Sequence, residues 1–124
     1  MTVRDSISAA RKAGPLPQAG GTQAFEFNFS PEDPVFTGHF PGRPILPGVF
    51  QLEIIRLAAE WILSGRLSLQ EVVRAKFQRP VLPGETLKLS LKLTEADSVV
   101  SARGSFICGG QPAGEAFLKL CRNE

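Results

Sequence analysis

The chain has no tyrosine, one histidine, one methionine, one tryptophan and two cysteines among its 124 residues. Cys108 and Cys121 form neither a Cys-x-x-Cys nor a Cys-x-x-His pair, and with a single histidine they cannot supply an ordinary zinc site. A disulfide would require the two cysteines to be adjacent across strands. We therefore expect free thiols and no metal site.

An excess of charge of one sign is also missing, since 14 basic and 12 acidic residues give a net charge of +2. Without a basic block, nucleic acid is not an expected partner. No run of 18 apolar residues occurs, and residues 1–10 contain Asp5 and no apolar stretch typical of a signal peptide. The expectation is a cytoplasmic protein with no membrane partner.

The length and apolar content predict a single domain over residues 1–124. Residues 5–12 favour a short, weak helix. Glycines and prolines then interrupt any regular pattern up to residue 22, at Gly14, Pro15, Pro17, Gly20 and Gly21. We therefore expect residues 1–22 to form an irregular lead-in.

Alternating apolar residues predict five strands, each half-buried. In the first, over residues 23–30, Phe25, Phe27 and Phe29 alternate with Glu26 and Asn28. The same period of two recurs over residues 73–78, 87–93, 100–106 and 115–120. The short joints between the last four strands favour antiparallel hairpins.

One apolar helix is predicted over residues 48–63. Pro47 fits its first position, and no proline or glycine follows Gly48 until Gly65. Apolar side chains cover nearly the whole circumference, which is typical of a buried helix. The predicted fold class is therefore α+β, with an antiparallel sheet wrapped around a long central helix.

The proline-rich segment 31–47 contains the only histidine, His39. Its prolines restrict the backbone, so little entropy is lost in holding the imidazole in place. Histidine ionises near neutral pH and can act as a general base. An ordinary surface histidine in a loop is the alternative interpretation.

The predicted helix carries two further candidates, Gly48 and Glu53. The Gly48 N–H belongs to the unpaired first turn, at the positive end of the helix dipole, where it could hold a thioester carbonyl. A carboxylate on a helix with almost no polar face would be partly desolvated, which favours a proton donor. Alternatively, Glu53 forms an ordinary pair with Arg56, which could equally pair with Glu60.

Gly48 and Glu53 are five positions apart, which places them about 140° apart around a helix and about 7.5 Å along it. One small substrate would not easily touch both within one chain. We therefore expect Glu53 to serve a site completed by a second copy, in a homodimer or a higher homo-oligomer.

The segment Gly38-His39-Phe40-Pro41-Gly42, followed by Pro44-Ile45-Leu46-Pro47-Gly48-Val49 and Glu53, resembles the FabZ-type 3-hydroxyacyl-[acyl carrier protein] dehydratases, which have the hot-dog fold. A second block, over residues 76–87, looks like the strand-turn segment of that family. The similarity runs from about Phe25 to the C-terminus.

The resemblance implies dehydration of a (3R)-3-hydroxyacyl thioester to the trans-2-enoyl product without a cofactor, in the biosynthesis of fatty acids or related polyenes. His39 would be the general base and Glu53 the general acid, supplied by different subunits. Gly48, Val49, Phe40 and Pro47 would contact the substrate. The partner would be an acyl carrier protein bearing a phosphopantetheine thioester.

Two departures from the family pattern are visible. Leu57 stands where FabZ-type chains have a glutamine, and the N-terminal segment is short. Both make the chain look closer to the shorter dehydratase-like proteins of aryl-polyene clusters. A hot-dog thioesterase and a non-catalytic acyl- or carrier-binding protein are the alternative functions, and a basic rim of Arg43, Arg56, Lys76 and Arg79 is a possible carrier surface.

Overall fold

The computed structural model describes residues 2–36 and 45–123. It contains one antiparallel sheet of six strands, in the order β1-β2-β4-β5-β6-β3, and a long helix packed against it. The elements in chain order are α1 (Val3–Ala10), β1 (Arg11–Pro17), β2 (Thr22–Asn28), α2 (Gly48–Leu63), β3 (Leu67–Phe77), β4 (Thr86–Ala96), β5 (Val99–Cys108) and β6 (Gln111–Arg122). The predicted arrangement of a sheet around a central helix is confirmed.

Helix α2 has the predicted bounds, residues 48–63, and its core-facing side chains are fully buried. Pro47 is the N-cap and not the first helical residue, with an extended backbone at φ −60° and ψ 142°. The helix ends at Ser64, which adopts a left-handed conformation and donates its N–H to the Glu60 carbonyl over 2.8 Å. A residue in this conformation stops the helix and satisfies one of its last carbonyls.

The short helix favoured near residues 5–12 is present as α1, but the expectation that residues 1–22 are otherwise irregular is wrong. Thr2 and Asp5 form a reciprocal cap that starts α1, and Ile7 on this helix is fully buried. Strand β1 pairs antiparallel with β2, with its register shifted on both sides of Ala13. Gly14 at φ +104° lies in that irregular stretch, where a Cβ would lie 2.5 Å from the Ala24 carbonyl oxygen. An edge strand can therefore accommodate the glycine and prolines that suggested a break.

Strands β2, β4, β5 and β6 show the predicted alternation, with one face buried against α2. Their inward apolar residues include Phe25, Phe27, Leu87, Leu89, Leu91, Val100, Ala102, Phe106, Leu118 and Leu120. Together with the buried side chains of α2, these residues form one hydrophobic core. Within the described residues, no helix is long and apolar enough to cross a membrane.

Strand β3 differs from its prediction as a half-buried strand. It pairs with β6 at one end of the sheet order, so its other edge has no neighbour among the described strands. After Leu67, its residues are exposed or only partly buried, and the apolar side chains of Leu69, Val72, Val73 and Phe77 remain exposed. Alternation identifies a strand but does not indicate whether a neighbouring layer covers it.

Helix α2 lies close to the sheet at Gly104, in the middle of β5. A methyl group on this Cα would lie 2.7 Å from Ile55 Cδ1 and 3.2 Å from Leu89 Cδ1. We expect Gly104→Val to lower the free energy of unfolding by about 1–3 kcal/mol, because the overpacked helix must move. Urea denaturation of the purified variant measures this loss.

The matched control is Ser105→Val, which changes the next, exposed position on the same strand. It should leave the free energy of unfolding within about 0.5 kcal/mol of the parent value. An equal loss in both variants would show that the close approach at Gly104 does not limit stability.

Candidate active site

The start of α2 presents backbone N–H groups that the helix itself does not pair. No side chain of the described residues caps this end, so the Gly48 and Val49 N–H groups belong to the unpaired first turn. Pro47 and Gly48 are half-buried, whereas Val49 is 62% exposed. These three predicted substrate-binding residues therefore lie together, at a position suited to a developing negative charge.

The other two residues predicted from the same segment, His39 and Phe40, lie outside the described residues, as does Arg43.

The ring of Phe77, at the end of β3, packs beside Gly48. A methyl group on Gly48 would lie 2.8 Å from two ring carbons of Phe77. A glycine is therefore needed for this close approach between helix and strand. The sequence pattern identified Phe77 only as a strand residue and gave no signal for its contact with the helix.

Gln51, one turn into α2, is a second residue that sequence reasoning missed. It is 2% exposed, and its Oε1 has no hydrogen-bond partner among the described residues. A methyl group on Gly114 would lie 2.7 Å from this oxygen. A buried amide on an otherwise apolar helix face is the signal that could have drawn attention to it.

Glu53 keeps 33% of its side chain exposed, so it is partly buried, as expected from its place on an apolar helix. Its Oε2 accepts two hydrogen bonds from Arg56, from Nε over 3.0 Å and from Nη2 over 2.5 Å. The pairing with Arg56, the alternative from the sequence, is therefore present. Both bonds end on the same oxygen, and Oε1 receives no hydrogen bond from the described residues.

Arg56 also binds Glu60, so both pairings considered from the sequence occur together. Its Nη1 lies 3.1 Å from Glu60 Oε2 and donates to the Leu67 carbonyl over 3.0 Å. Glu60 is 6% exposed and accepts further hydrogen bonds from Arg4 Nη1 over 2.8 Å and from the Leu67 N–H over 2.9 Å. Glu53 is thus the outer end of a buried network of charges.

Burial alone raises the pKa of Glu60, but its partners outweigh that effect. The hydrogen bond from Arg4, the Leu67 N–H and the charges of both arginines stabilise the carboxylate, so its pKa lies below the ordinary value. A buried charge of this kind is stable only with complete pairing.

The predicted basic rim is only partly available. Arg56 is engaged within the network, and Arg79 pairs with Glu85 over 2.9 Å. Lys76 is exposed on β3. A groove of about 470 Å³ lies elsewhere, lined by β3, β5 and β6 residues including Arg74, Arg103 and Phe117. None of the predicted site residues lines it.

Cys108 is buried, Cys121 is half-buried, and both are free thiols. Burial, followed by the nearby Glu85 carboxylate, raises the pKa of the Cys108 thiol, and Arg79 offsets only part of the rise. A protonated thiol is a poor nucleophile, so Cys108 is not a candidate for covalent catalysis. Within residues 2–36 and 45–123, no three His, Cys, Asp or Glu side chains converge as metal ligands.

Comparison with known proteins gives a family match over residues 17–110, to the ApeI-like family described as ApeI dehydratase. The 3-hydroxyacyl-[acyl-carrier-protein] dehydratase FabZ of Haemophilus influenzae (strain 86-028NP) is 38% identical over 104 residues, covering 77% of this chain and 70% of the relative. FabZ of Pelotomaculum thermopropionicum is 35% identical over 99 residues, with coverages of 73% and 71%.

Solved structures show the same architecture. The dehydratase heterocomplex ApeI:P from Xenorhabdus doucetiae contains a chain with a TM-score of 0.71 and 30% identity, covering 89% of this chain and 100% of that one. A mutant of the fluoroacetyl-CoA-specific thioesterase FlK has a TM-score of 0.70 at 16% identity, covering 90% of each chain. At that identity the likeness concerns the fold alone.

The fold and these matches define the class of the protein as a dehydratase with the hot-dog fold. Within that class, the chain belongs to the ApeI-like dehydratase family. The predicted fold class and the predicted FabZ-type resemblance are both confirmed.

The buried network generates a test of stability. We expect Glu60→Gln to lower the free energy of unfolding by about 3 kcal/mol at pH 7, because it leaves two arginines without their shared carboxylate. The pKa of Glu60 is lowered in the fold, so the stabilisation exists above the ordinary value of 4.5 and is lost as the pH falls through the folded value. The gap between parent and variant should therefore narrow in acid.

Urea denaturation at pH 7 and below pH 4.5 measures this gap. Glu95→Gln is the control, because Glu95 pairs with Arg122 at the surface and should contribute less than about 1 kcal/mol. A gap for Glu60→Gln that stays constant with pH would contradict the charged network.

Proposed function

We propose that this chain removes water from (3R)-3-hydroxyacyl thioesters carried by acyl carrier protein, giving the trans-2-enoyl thioester. The observation that carries the proposal is that α2 presents an uncapped N-terminus at Gly48 and a half-exposed carboxylate at Glu53, in a chain of the dehydratase family. The names of the FabZ relatives supply the substrate class. Fatty-acid or related polyene biosynthesis is the process we assign.

In the proposed reaction, His39 removes a proton from C2, and the Gly48 N–H stabilises the negative charge that develops on the thioester oxygen. Glu53 donates a proton to the 3-hydroxyl group. The C2–H and C3–O bonds break, a double bond forms between C2 and C3, and water leaves. Arg56 binds only Oε2 of Glu53, so Oε1 is the oxygen to which we assign the proton donation.

We propose that a second copy pairs along the free edge of β3. Strand β3 is 11 residues long, has no neighbour on its outer edge among the described strands, and exposes four apolar side chains. Such an edge favours pairing with another strand. The dimer would let the Glu53 of one copy meet the His39 of the other, as the helical separation of Gly48 and Glu53 suggests.

The expected partner in turnover is an acidic carrier protein bearing phosphopantetheine. The names of the FabZ relatives support this partner. A cytoplasmic location belongs to the same proposal and is consistent with the two free thiols.

The assigned roles predict that His39→Ala and Glu53→Gln each reduce turnover at least about 100-fold, since each removes one proton-transfer group. Mass spectrometry of carrier-bound 3-hydroxyacyl substrates of several lengths, aliphatic and aromatic, measures formation of the enoyl product. Glu26→Gln, a carboxylate change on a half-buried strand residue paired with Lys88, is the control and should leave turnover unchanged. Full turnover in either site variant would contradict its assigned role, and release of free thiol without enoyl product would indicate a thioesterase.

The dimer proposal predicts that Val72→Lys yields monomers, because the exposed side chain would place a charge in the interface between β3 strands. Light scattering after size-exclusion chromatography measures the mass. Ile107→Lys is the matched control, since Val72 and Ile107 are 41% and 44% exposed but Ile107 lies on an inner strand. A parent chain that is monomeric by itself would contradict the homodimer and favour a related second chain, as in the Xenorhabdus heterocomplex.

Mixing the two inactive site variants tests whether subunits share the site. Random exchange makes about half of the dimers mixed, each with one intact site of two, so activity should return to about a quarter of the parent value. No recovery in exchanged dimers would show that each site belongs to one chain.

A further inference from the structure

We infer that Arg56 is the positioning residue of Glu53, holding one oxygen of the carboxylate so that the other faces the substrate. The inference rests on the proposed function, in which Glu53 is the proton donor. FabZ-type chains have a glutamine at the next position, where this chain has Leu57. In this chain it is Arg56 that donates hydrogen bonds to the Glu53 carboxylate.

The contact between Arg56 and Glu53 is a fork on one oxygen. Nε and Nη2 both donate to Oε2, over 3.0 and 2.5 Å, and neither contacts Oε1. Two donors from one planar guanidinium restrict the rotation of the carboxylate more than a single contact does. Oε1 is therefore left in a defined position, without a protein donor among the described residues.

The other end of the guanidinium is bound by one group on the helix and one on the sheet. Nη1 binds the buried carboxylate of Glu60 and the carbonyl of Leu67, which begins β3. Glu60 is in turn held by Arg4 and by the Leu67 N–H. Contacts with Glu60 and with the Leu67 carbonyl therefore orient Arg56 in addition to its contact with Glu53.

This anchoring distinguishes the pair from an ordinary surface pair three residues apart on a helix. A solvated pair of that kind contributes a few tenths of a kcal/mol and leaves both side chains free to rotate. Arg56 is only 20% exposed, and four hydrogen bonds to three acceptors hold its guanidinium. Proton transfer depends strongly on such orientation, because small displacements of the reacting groups slow the reaction.

Leu57 cannot supply this role. Its side chain is fully buried in the core, so no polar group from that position reaches Glu53. The helical turn instead offers the position three residues after the acid, which lies on the same side of the helix.

The test compares Arg56→Met, which keeps a long apolar stem but removes every donor, with Arg56→Lys, which keeps the charge but loses the fork. We expect kcat to fall about tenfold or more in Arg56→Met with KM nearly unchanged, and to recover partly in Arg56→Lys. Turnover of a carrier-bound 3-hydroxyacyl thioester gives kcat and KM separately. Thermal unfolding of each variant measures its structural contribution.

The matched control is Arg122→Lys. Arg122 also donates to one carboxylate through Nε and Nη2, but it binds both oxygens of Glu95, at the surface. This substitution should leave kcat unchanged. It separates loss of a forked ion pair in general from loss of the one on Glu53.

A double substitution connects the effect to Glu53. If Arg56 acts through Glu53, the variant carrying both Arg56→Met and Glu53→Gln should be no slower than Glu53→Gln alone. The inference would be overturned if the double variant lost kcat by the product of the two single losses. A folded Arg56→Met variant with the parent kcat would also overturn it.

If Arg56→Met does not fold, the kcat of Arg56→Lys tests the inference instead. A kcat equal to that of the parent in Arg56→Lys would also overturn the inference. Unchanged turnover in Glu53→Gln would instead overturn the proposed role of Glu53 itself.

Discussion

The contact between helix α2 and the sheet is the constraint on which the rest of the structure depends. Gly104 lets Ile55 approach the sheet, and Gly48 lets the start of the helix approach Phe77. With the helix held this close on its core-facing side, burying a polar group without a partner is costly, and Gln51 Oε1 is an exception among the described residues. The site groups occupy positions that avoid this cost, at the first turn and along the side that carries Glu53.

Salt bridges and hydrogen bonds to charged groups connect helix α2 to α1 and β3. Arg4 from α1 and the start of β3 at Leu67 both bind Glu60, and Arg56 transmits this fixed arrangement to Glu53. The network alternates two cations with two anions, so its net charge is zero. Stability and the geometry of the site therefore depend on the same side chains, and changes made for one property will alter the other.

Most of the fold could be predicted because its signals are local. The unbroken apolar segment after Gly48 indicates a buried helix, and the alternation in β2, β4, β5 and β6 indicates which face of each strand is buried. Strand β1 was missed because its glycine and prolines are tolerated only through an irregular pairing with β2, which is a tertiary property. The exposure of β3 was missed for a similar reason, since a period of two does not distinguish an edge from an interior strand. For the site, spacing indicated both possible partners of Arg56, but only the three-dimensional structure shows that Arg56 binds Glu53 and Glu60 at the same time.

The limits of the family match differ from the limits of the folded elements. The family match ends at residue 110, yet β6 begins at Gln111 and is the strand that joins β3 to β5. At the other end, the match begins at residue 17, after α1 and Arg4. A fragment cut to the matched residues would therefore leave β3 detached from the sheet and Glu60 without Arg4. The segment matched by the family is thus shorter than the segment that builds the sheet and the charge network.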